Sequence, residues 1–167
     1  MMLTPLFTSP LDTAVGLERT TTQLIKVEVV KGEYRFDFSK LKRWLDLCKK
    51  CGIEYYEMSH LFSQWGAKYA PKVVAEVDGK EEKIFGWHTP AVGEYTRFLK
   101  AFLPQLIEKL KEWNVDSSVA LHIATNPKQQ YNVNTWAAEI QTEKRFCFGS
   151  IHPDAPDALS ELERIKT

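Results

Sequence analysis

Polar and aromatic residues occur in short groups along this chain, and their types suit the binding of a sugar. The hydroxyls of a sugar need amide, imidazole or carboxylate partners, while the C–H face of its ring stacks on an indole. The candidate ligand contacts of these types are His60, Gln64, Trp65 and Trp87. A structural role is the alternative interpretation of the tryptophans, because large aromatic side chains are usually buried.

Three predicted strands end just before such groups. The strands cover residues 53–59, 119–124 and 146–151, and they are followed by His60, Thr125-Asn126 and His152. In parallel α/β folds the functional site lies beyond the carboxyl ends of the strands. We therefore expect these residues at one rim, joined by Trp87 from the long connection over residues 60–93.

Helices alternate with these strands along the chain. Ser39 is the predicted N-cap of the first helix, and Gly52 is its predicted stop. Apolar residues at helical spacing predict further helices over residues 95–110, 135–143 and 156–166. Pro104 is expected to kink the second of the four. Two hairpins are predicted around the turn residues Lys31-Gly32-Glu33 and Asp78-Gly79, at residues 24–38 and 72–85.

This order of elements predicts an α/β fold, a partial (β/α) barrel-like parallel sheet with covering helices and an additional β-hairpin. The 167 residues are fewer than the roughly 250 of a complete barrel. We expect one domain, in which residues 1–22 form an irregular lead-in. A partial barrel leaves strand edges open, so a homo-oligomer formed through these edges is also expected.

Charge and composition exclude several classes of partner. The chain has 22 Lys and Arg against 22 Asp and Glu, so no broad electrostatic field exists to recruit nucleic acid or anionic lipid. The apolar runs are too short to span a membrane, and the N-terminus lacks the features of a signal peptide. A soluble, cytoplasmic protein is therefore expected.

Three cysteines, an odd number, predict reduced thiols rather than a disulfide framework. Cys48 and Cys51 have the spacing of zinc ligands, but no second pair accompanies them. We interpret them as buried or incidental thiols, and we expect neither a metal nor a cofactor.

An unbroken string, His-Leu-Phe-Ser-Gln-Trp-Gly-Ala-Lys, occupies residues 60–68. Shorter motifs lie at residues 36–39, 85–87, 102–104 and 122–123. Through them, residues 23–131 resemble the catalytic domain of glycoside hydrolase family 123, the exo-acting N-acetyl-β-galactosaminidases. The resemblance implies a βα barrel and substrate-assisted hydrolysis, in which the acetamido group of the sugar attacks the anomeric carbon. Trp65 and Trp87 would stack the sugar, while His60, Gln64 and His122 would orient it.

That chemistry needs two adjacent acids, which the family carries in a Ser-Asp-Glu-Pro string after a strand. This chain has Ala124-Thr125-Asn126-Pro127 there. Thr125 carries no negative charge, and Asn126 cannot deliver a proton at neutral pH. We expect impaired catalysis, although Asn126 can still hydrogen-bond a sugar. Glu57, near the carboxyl end of the first predicted strand, is the candidate substitute acid.

Residues 132–167 resemble a second family, the metal-dependent amidohydrolases. The motifs that carry this likeness lie at residues 134–139, 145–155 and 159–165. The chain has no His-x-His pair to supply the usual first metal ligands of that family. A structural or rim role is the favoured interpretation of His152.

Three functional hypotheses follow from the sequence. The first is a hexosaminidase-like glycoside hydrolase fragment with impaired catalysis. The second is a non-catalytic module that binds carbohydrate or has a purely structural, chimeric character. The third is a fragment of a metal-dependent amidohydrolase. Residual turnover, saturable sugar binding and stoichiometric zinc, respectively, would distinguish them.

Overall fold

A computed structural model describes residues 1–8, 21–62, 67–120, 124 and 126–166. The chain divides into two compact units, Met1–Lys109 and Leu110–Thr167. Each unit has its own sheet structure and its own helices. None of the helices in the described ranges is both long and apolar enough to cross a membrane.

The first unit contains six strands, one complete helix and all but the last three residues of a second helix. In chain order these are β1 (Met2–Thr4), β2 (Lys26–Val30), β3 (Glu33–Asp37), α1 (Ser39–Lys50), β4 (Tyr56–Met58), β5 (Val73–Val77), β6 (Lys80–Phe85) and α2 (Glu94–Glu112). Strands β1 and β4 form a two-stranded parallel sheet, and the other four form a sheet in the order β3-β2-β5-β6.

Both predicted hairpins are confirmed, since β2 pairs with β3 and β5 with β6 in antiparallel fashion. Their turns place Lys31 and Gly32, and likewise Asp78 and Gly79, at positive φ. Consecutive positive φ values belong to the tight turns that match the twist of a hairpin, and glycine adopts them without steric cost. Local sequence therefore specifies both turns.

The two hairpins are joined by parallel pairing between β2 and β5, which the sequence did not predict. Glu28 lies opposite Glu76 in this junction, an arrangement that would be repulsive by itself. The ammonium of Lys26 lies 2.7 Å from the Glu28 carboxylate and 3.0 Å from that of Glu76. The cation offsets the repulsion between the two carboxylates.

Helix α1 begins at Ser39, and Gly52 follows it at a φ of +73°, so the predicted helix and its stop are confirmed. The predicted N-cap was wrong by one residue, because Phe38 occupies that position and has no side-chain acceptor. Asp37 supplies the side-chain acceptor at the start of the helix instead. Its Oδ1 accepts hydrogen bonds from the backbone N–H of Ser39 at 2.8 Å and from the Ser39 hydroxyl at 2.5 Å.

Helix α2 runs through Pro104 and carries the core of the first unit. Its buried residues are Tyr95, Phe98, Leu99, Phe102 and Leu106. The Phe98 ring lies 5.1 Å from Tyr34, 5.5 Å from Phe36 and 5.2 Å from Phe85, measured between ring centroids. These edge-to-face contacts pack α2 against the four-stranded sheet.

Strand β1 corrects the expectation of an irregular lead-in. Met2 donates a backbone hydrogen bond to Tyr55 at 2.8 Å, and Ser59 donates one to Thr4 at 2.9 Å. The strand has only three residues, which is too short for an alternating pattern to be recognised. Its partner β4 lies far along the chain, so no local signal predicts the pairing.

The second unit consists of β7 (Ser118–Ala120), a 3-10 helix (Pro127–Gln129), α3 (Gln130–Ile140), β8 (Arg145–Cys147) and α4 (Ala158–Arg164). Strands β7 and β8 pair in parallel. Each predicted element is present, but the third helix starts five residues earlier than expected, and the last strand and helix are shorter.

The fold is therefore mixed α/β rather than one parallel sheet. Strands β7 and β8 pair in parallel, as the alternation of strands and helices suggested, and β1 and β4 form a second parallel pair that it did not suggest. The described strands nevertheless form three sheets, and the largest is mixed. A continuous barrel-like sheet is not found among them, because the two hairpins pair with each other and build a sheet of their own.

Candidate functional site

The candidate site residues fall into three groups. Glu57, His60 and Trp87 lie in the first unit, and Asn126 lies in the second. The positions of Gln64, Trp65, His122 and Thr125 lie outside the described residues, so their predicted roles stay predictions.

His60 and Trp87 line the same pocket of the first unit. The other residues of its wall are Thr8, Phe62, Ala70, Pro71 and Lys72. Two residues that the sequence separates by a long connection are thus brought together. Thr8 was not among the predicted contacts.

The wall that carries His60 is fixed by the end of β4. Ser59 is buried, and its hydroxyl accepts a hydrogen bond of 2.9 Å from the backbone N–H of Leu6. The Tyr95 hydroxyl donates to the carbonyl of Leu61 at 2.5 Å, and the Tyr95 ring meets that of Phe62 edge to face. Strand pairing and helix α2 therefore hold residues 59–62 from two sides.

Burial also determines the protonation state of the Tyr95 hydroxyl. Tyr95 is fully buried, and burial raises the pKa of its phenol well above the usual value. The hydroxyl consequently remains protonated at all physiological pH values, and it keeps donating to Leu61.

The wall that carries Trp87 is a tight turn between β6 and α2. Thr89 closes it, since its N–H donates to the Gly86 carbonyl at 2.8 Å and its hydroxyl accepts from the Gly86 N–H at 3.1 Å. Ala70 then donates to the Thr89 carbonyl at 2.9 Å. The turn is thereby tied to the segment that supplies Ala70, Pro71 and Lys72 to the pocket.

The pocket has a closed floor and an amphipathic rim. Thr8, Ala70 and Pro71 are buried, whereas His60 and Trp87 are half-buried. Lys72 is the one charged residue among the seven that line it. An indole, an imidazole and a hydroxyl around a small volume can hold a polar ring by stacking and hydrogen bonding.

Glu57 lies in the middle of β4, opposite Leu3 of β1, and its side chain is exposed. It is not among the residues that line the pocket with His60 and Trp87. A role as substitute acid stays a prediction.

Asn126 is the N-cap of the 3-10 helix in the second unit. Its Oδ1 accepts a hydrogen bond of 3.1 Å from the backbone N–H of Lys128, and its own backbone is extended. The side chain is exposed and neutral. The amide oxygen therefore has a structural partner, while the amide NH₂ is the group that could contact a ligand.

A buried polar network of the second unit fixes the chain around Asn126, and the sequence did not predict it. Asn134 on α3 pairs with the backbone of Ser150 in both directions, at 2.7 and 2.9 Å. The Ser150 hydroxyl accepts a hydrogen bond of 2.8 Å from the N–H of Ala124. One turn earlier on α3, Gln130 accepts from the His152 N–H at 3.1 Å. The spacing of Gln130 and Asn134, four residues apart on one helix, is the sequence signal that could have predicted this network.

Glu161 completes this network from α4. Its carboxylate accepts hydrogen bonds from Arg164 at 2.5 and 2.7 Å and from Asn134 at 2.7 Å. The hydrogen bonds from Arg164, helped by Asn134, lower the pKa of this carboxyl although burial opposes them. Glu161 is therefore charged at neutral pH and serves the packing of α4 on α3.

Within the described part of the chain, no group of three or more His, Cys, Asp or Glu side chains is arranged to hold a metal ion. Cys48 is buried on α1, and burial raises the pKa of its thiol, whereas Cys51 is exposed. The two residues thus face different environments despite their zinc-like spacing.

Comparison with known proteins gives one consistent result. A family model, the catalytic domain of glycoside hydrolase 123, matches residues 1–147. Among solved structures, the chain resembles a family 123 glycoside hydrolase from Clostridium perfringens, reported for glycolipid glycan hydrolysis, with a TM-score of 0.54 and 16% identity. The match covers 98% of this chain but 29% of that one. No curated protein matches.

The resemblance of residues 132–167 to metal-dependent amidohydrolases is not supported. The family match continues through residue 147, and the similar structure covers almost the whole chain. The chimeric interpretation is not supported for the same reason. A short strand followed by a loop and a helix recurs in many α/β folds, so motifs of that length do not identify a family.

Proposed function

This chain belongs to the family of glycoside hydrolase 123 catalytic domains, and we propose that it binds a terminal N-acetyl-β-hexosaminide with little or no hydrolysis. The observation that carries this proposal is the pocket shared by His60 and Trp87. Both residues were predicted as sugar contacts from the sequence, and they come from separate segments of the chain.

The side chains that line the pocket suit contact with the edge and one face of a sugar ring. Trp87 offers an indole face for the C–H side of the ring, and His60 offers a nitrogen for a hydroxyl. Gln64 and Trp65, which follow His60 along the chain, are proposed to add contacts to the same ligand. His122 stays a proposed sugar contact of the second unit.

The proposed loss of catalysis rests on Thr125 and Asn126. Substrate-assisted hydrolysis needs one carboxylate to orient the acetamide and one acid to protonate the leaving oxygen. Loss of a general acid alone lowers the rate by about 10²- to 10⁴-fold. Asn126 would keep a binding role through its amide, and Glu57 is the proposed source of any residual acid catalysis.

Binding is tested by titrating the pure protein with N-acetylgalactosamine and following tryptophan fluorescence. We expect saturable quenching in the wild type and its loss in Trp87→Leu. Trp136→Phe is the matched control, because Trp136 is an exposed residue of the second unit. Equal quenching in Trp87→Leu and the wild type would contradict a ligand in this pocket.

Catalysis is tested with an aryl N-acetyl-β-galactosaminide. The wild type should release the aryl group at the background rate. The double variant Thr125→Asp, Asn126→Glu restores the family's acid pair, and turnover should rise above that background. Efficient hydrolysis by the wild type, lost on Glu57→Gln, would instead show that Glu57 replaces the missing acid.

We further propose that the chain self-associates through its open strand edges. In the described ranges, β1 and β4 pair with each other alone, as do β7 and β8, and unpaired edges favour further pairing. Light scattering over a dilution series should show a mass above that of the 19.3 kDa chain. A concentration-independent monomer would refute self-association.

A further inference from the structure

The pocket of His60 and Trp87 contains a buried hydroxyl without a hydrogen-bond partner. Thr8 is 1% exposed, and it lines this pocket. Within the part of the chain that the structure describes, its Oγ1 is a buried side-chain oxygen that no donor or acceptor of the protein reaches. Buried hydroxyls are nearly always hydrogen-bonded, so an exception calls for an explanation.

The neighbouring hydroxyls show that the surrounding structure does satisfy such groups. Thr4 is 0% exposed, and its Oγ1 donates to the Met2 carbonyl and accepts from the indole N–H of Trp44, both at 3.3 Å. The Ser59 hydroxyl accepts from the N–H of Leu6 at 2.9 Å. The unpartnered hydroxyl is thus the one that lines the pocket.

The backbone of Thr8 is also held in place. Thr8 forms an antiparallel bridge with Thr21, so its side chain starts from a fixed position. A polar group that is both fixed and unsatisfied is prepared for an incoming partner, because a ligand need not break an existing hydrogen bond to reach it.

We infer that the Thr8 hydroxyl hydrogen-bonds a hydroxyl or acetamido group of the bound sugar and acts as a specificity-determining residue. This inference rests on the proposed binding function. Trp87 stacks one face of the ring, and Thr8 contacts a polar group on its edge. A sugar without a hydrogen-bonding group at that edge leaves the Thr8 hydroxyl unsatisfied. Such a sugar should therefore bind more weakly than one that has the group.

The assignment predicts two effects of opposite sign for Thr8→Val, which keeps the shape of the side chain. In the sugar-free protein the variant removes an unsatisfied hydroxyl, so Tm should rise by about 2 to 4 °C. The Kd for N-acetylgalactosamine, measured by tryptophan fluorescence, should increase by about three- to tenfold. Thr8→Ser keeps the hydroxyl, and its Kd should stay within about twofold of the wild type.

Thr4→Val is the matched control, since it removes a satisfied hydroxyl at equal burial. It leaves the Trp44 N–H without an acceptor, so its Tm should fall while the Kd is unchanged.

A Tm of Thr8→Val below that of the wild type overturns the assignment without reference to any sugar. An unchanged Kd in Thr8→Val also overturns it, while the proposed function stands. A wild type that binds no N-acetylgalactosamine refutes the proposed function, and the Tm comparison still decides whether Thr8 is unsatisfied.

Discussion

The polar network of the second unit and the pocket of the first unit use buried polar groups in opposite ways. In the second unit, Asn134 and Glu161 lie 3% exposed, and each has several hydrogen-bond partners. In the first, Thr8 is equally buried and lines a pocket without a partner. Burial alone therefore does not distinguish structural from functional polar residues. The presence of hydrogen-bond partners does distinguish them, because a satisfied group stabilises the fold and an unsatisfied one remains available for a ligand.

The largest expected effect comes from breaking the satisfied network. Glu161→Gln removes the charge that holds Arg164 and weakens the contact with Asn134. We expect the free energy of unfolding to fall by about 2 kcal/mol, less than for a fully buried ion pair because Arg164 is partly exposed. Urea denaturation measures this change.

Glu163→Gln is the control for that variant. Glu163 pairs with Lys166 at 2.5 Å, but its side chain is 71% exposed. An exposed pair of this kind contributes little, so the change should stay below about 0.5 kcal/mol. Equal losses in the two variants would mean that the network of the second unit is not more stabilising than a surface ion pair.

A smaller effect is expected from Tyr95→Phe, which removes a satisfied hydroxyl beside the pocket of the first unit. The Leu61 carbonyl loses its donor, and we expect a loss of about 1 kcal/mol in urea denaturation. Binding of N-acetylgalactosamine should weaken as well, because the same hydrogen bond positions the wall next to His60. Tyr55→Phe, at an exposed position, should leave both unchanged. If Tyr95→Phe binds N-acetylgalactosamine as tightly as the wild type, the hydrogen bond from Tyr95 to Leu61 is not needed to position the pocket wall.

The smallest effect is the pH dependence contributed by Glu161. Because its pKa is lowered in the folded protein, its contribution to stability is present above the usual glutamate pKa of about 4.3. It is lost as the pH falls through the lower, folded value. Unfolding measured from pH 6 to pH 3 should therefore show a steeper loss in the wild type than in Glu161→Gln. Parallel curves would show that Glu161 has the same pKa folded and unfolded.

Sequence patterns predicted those parts of the fold that local residues determine. The turn at Asp78-Gly79 and the apolar stripe of α2 each act within a few residues, so the hairpin and the helix were found. Strand β1 was missed, because its pairing with β4 joins distant segments. Asn126 also carries a local signal, because an asparagine directly before a proline is typical of the start of a helix.

For the candidate site, the sequence could nominate residues by their type but could not show which of them lie together. The residue types of His60 and Trp87 pointed to a sugar, and the structure brings the two residues to one pocket. Thr8 could not be found in this way, since threonine is common and its significance lies in the missing partner. That property depends on how Thr8 meets three other segments of the chain, which contribute His60 and Phe62, residues 70–72 and Trp87 to the pocket.

The parallel junction between the two hairpins has a consequence for the order of folding. Each hairpin closes a two-residue turn, and such units form within about 1–10 μs. The junction of β2 with β5 must wait until the chain between them, including α1 and β4, has been brought into place, and distant contacts form slowly. We expect pulsed hydrogen exchange to protect the amides within each hairpin first and those of the junction later. The sheet that supports α2 would then be assembled from two preformed halves.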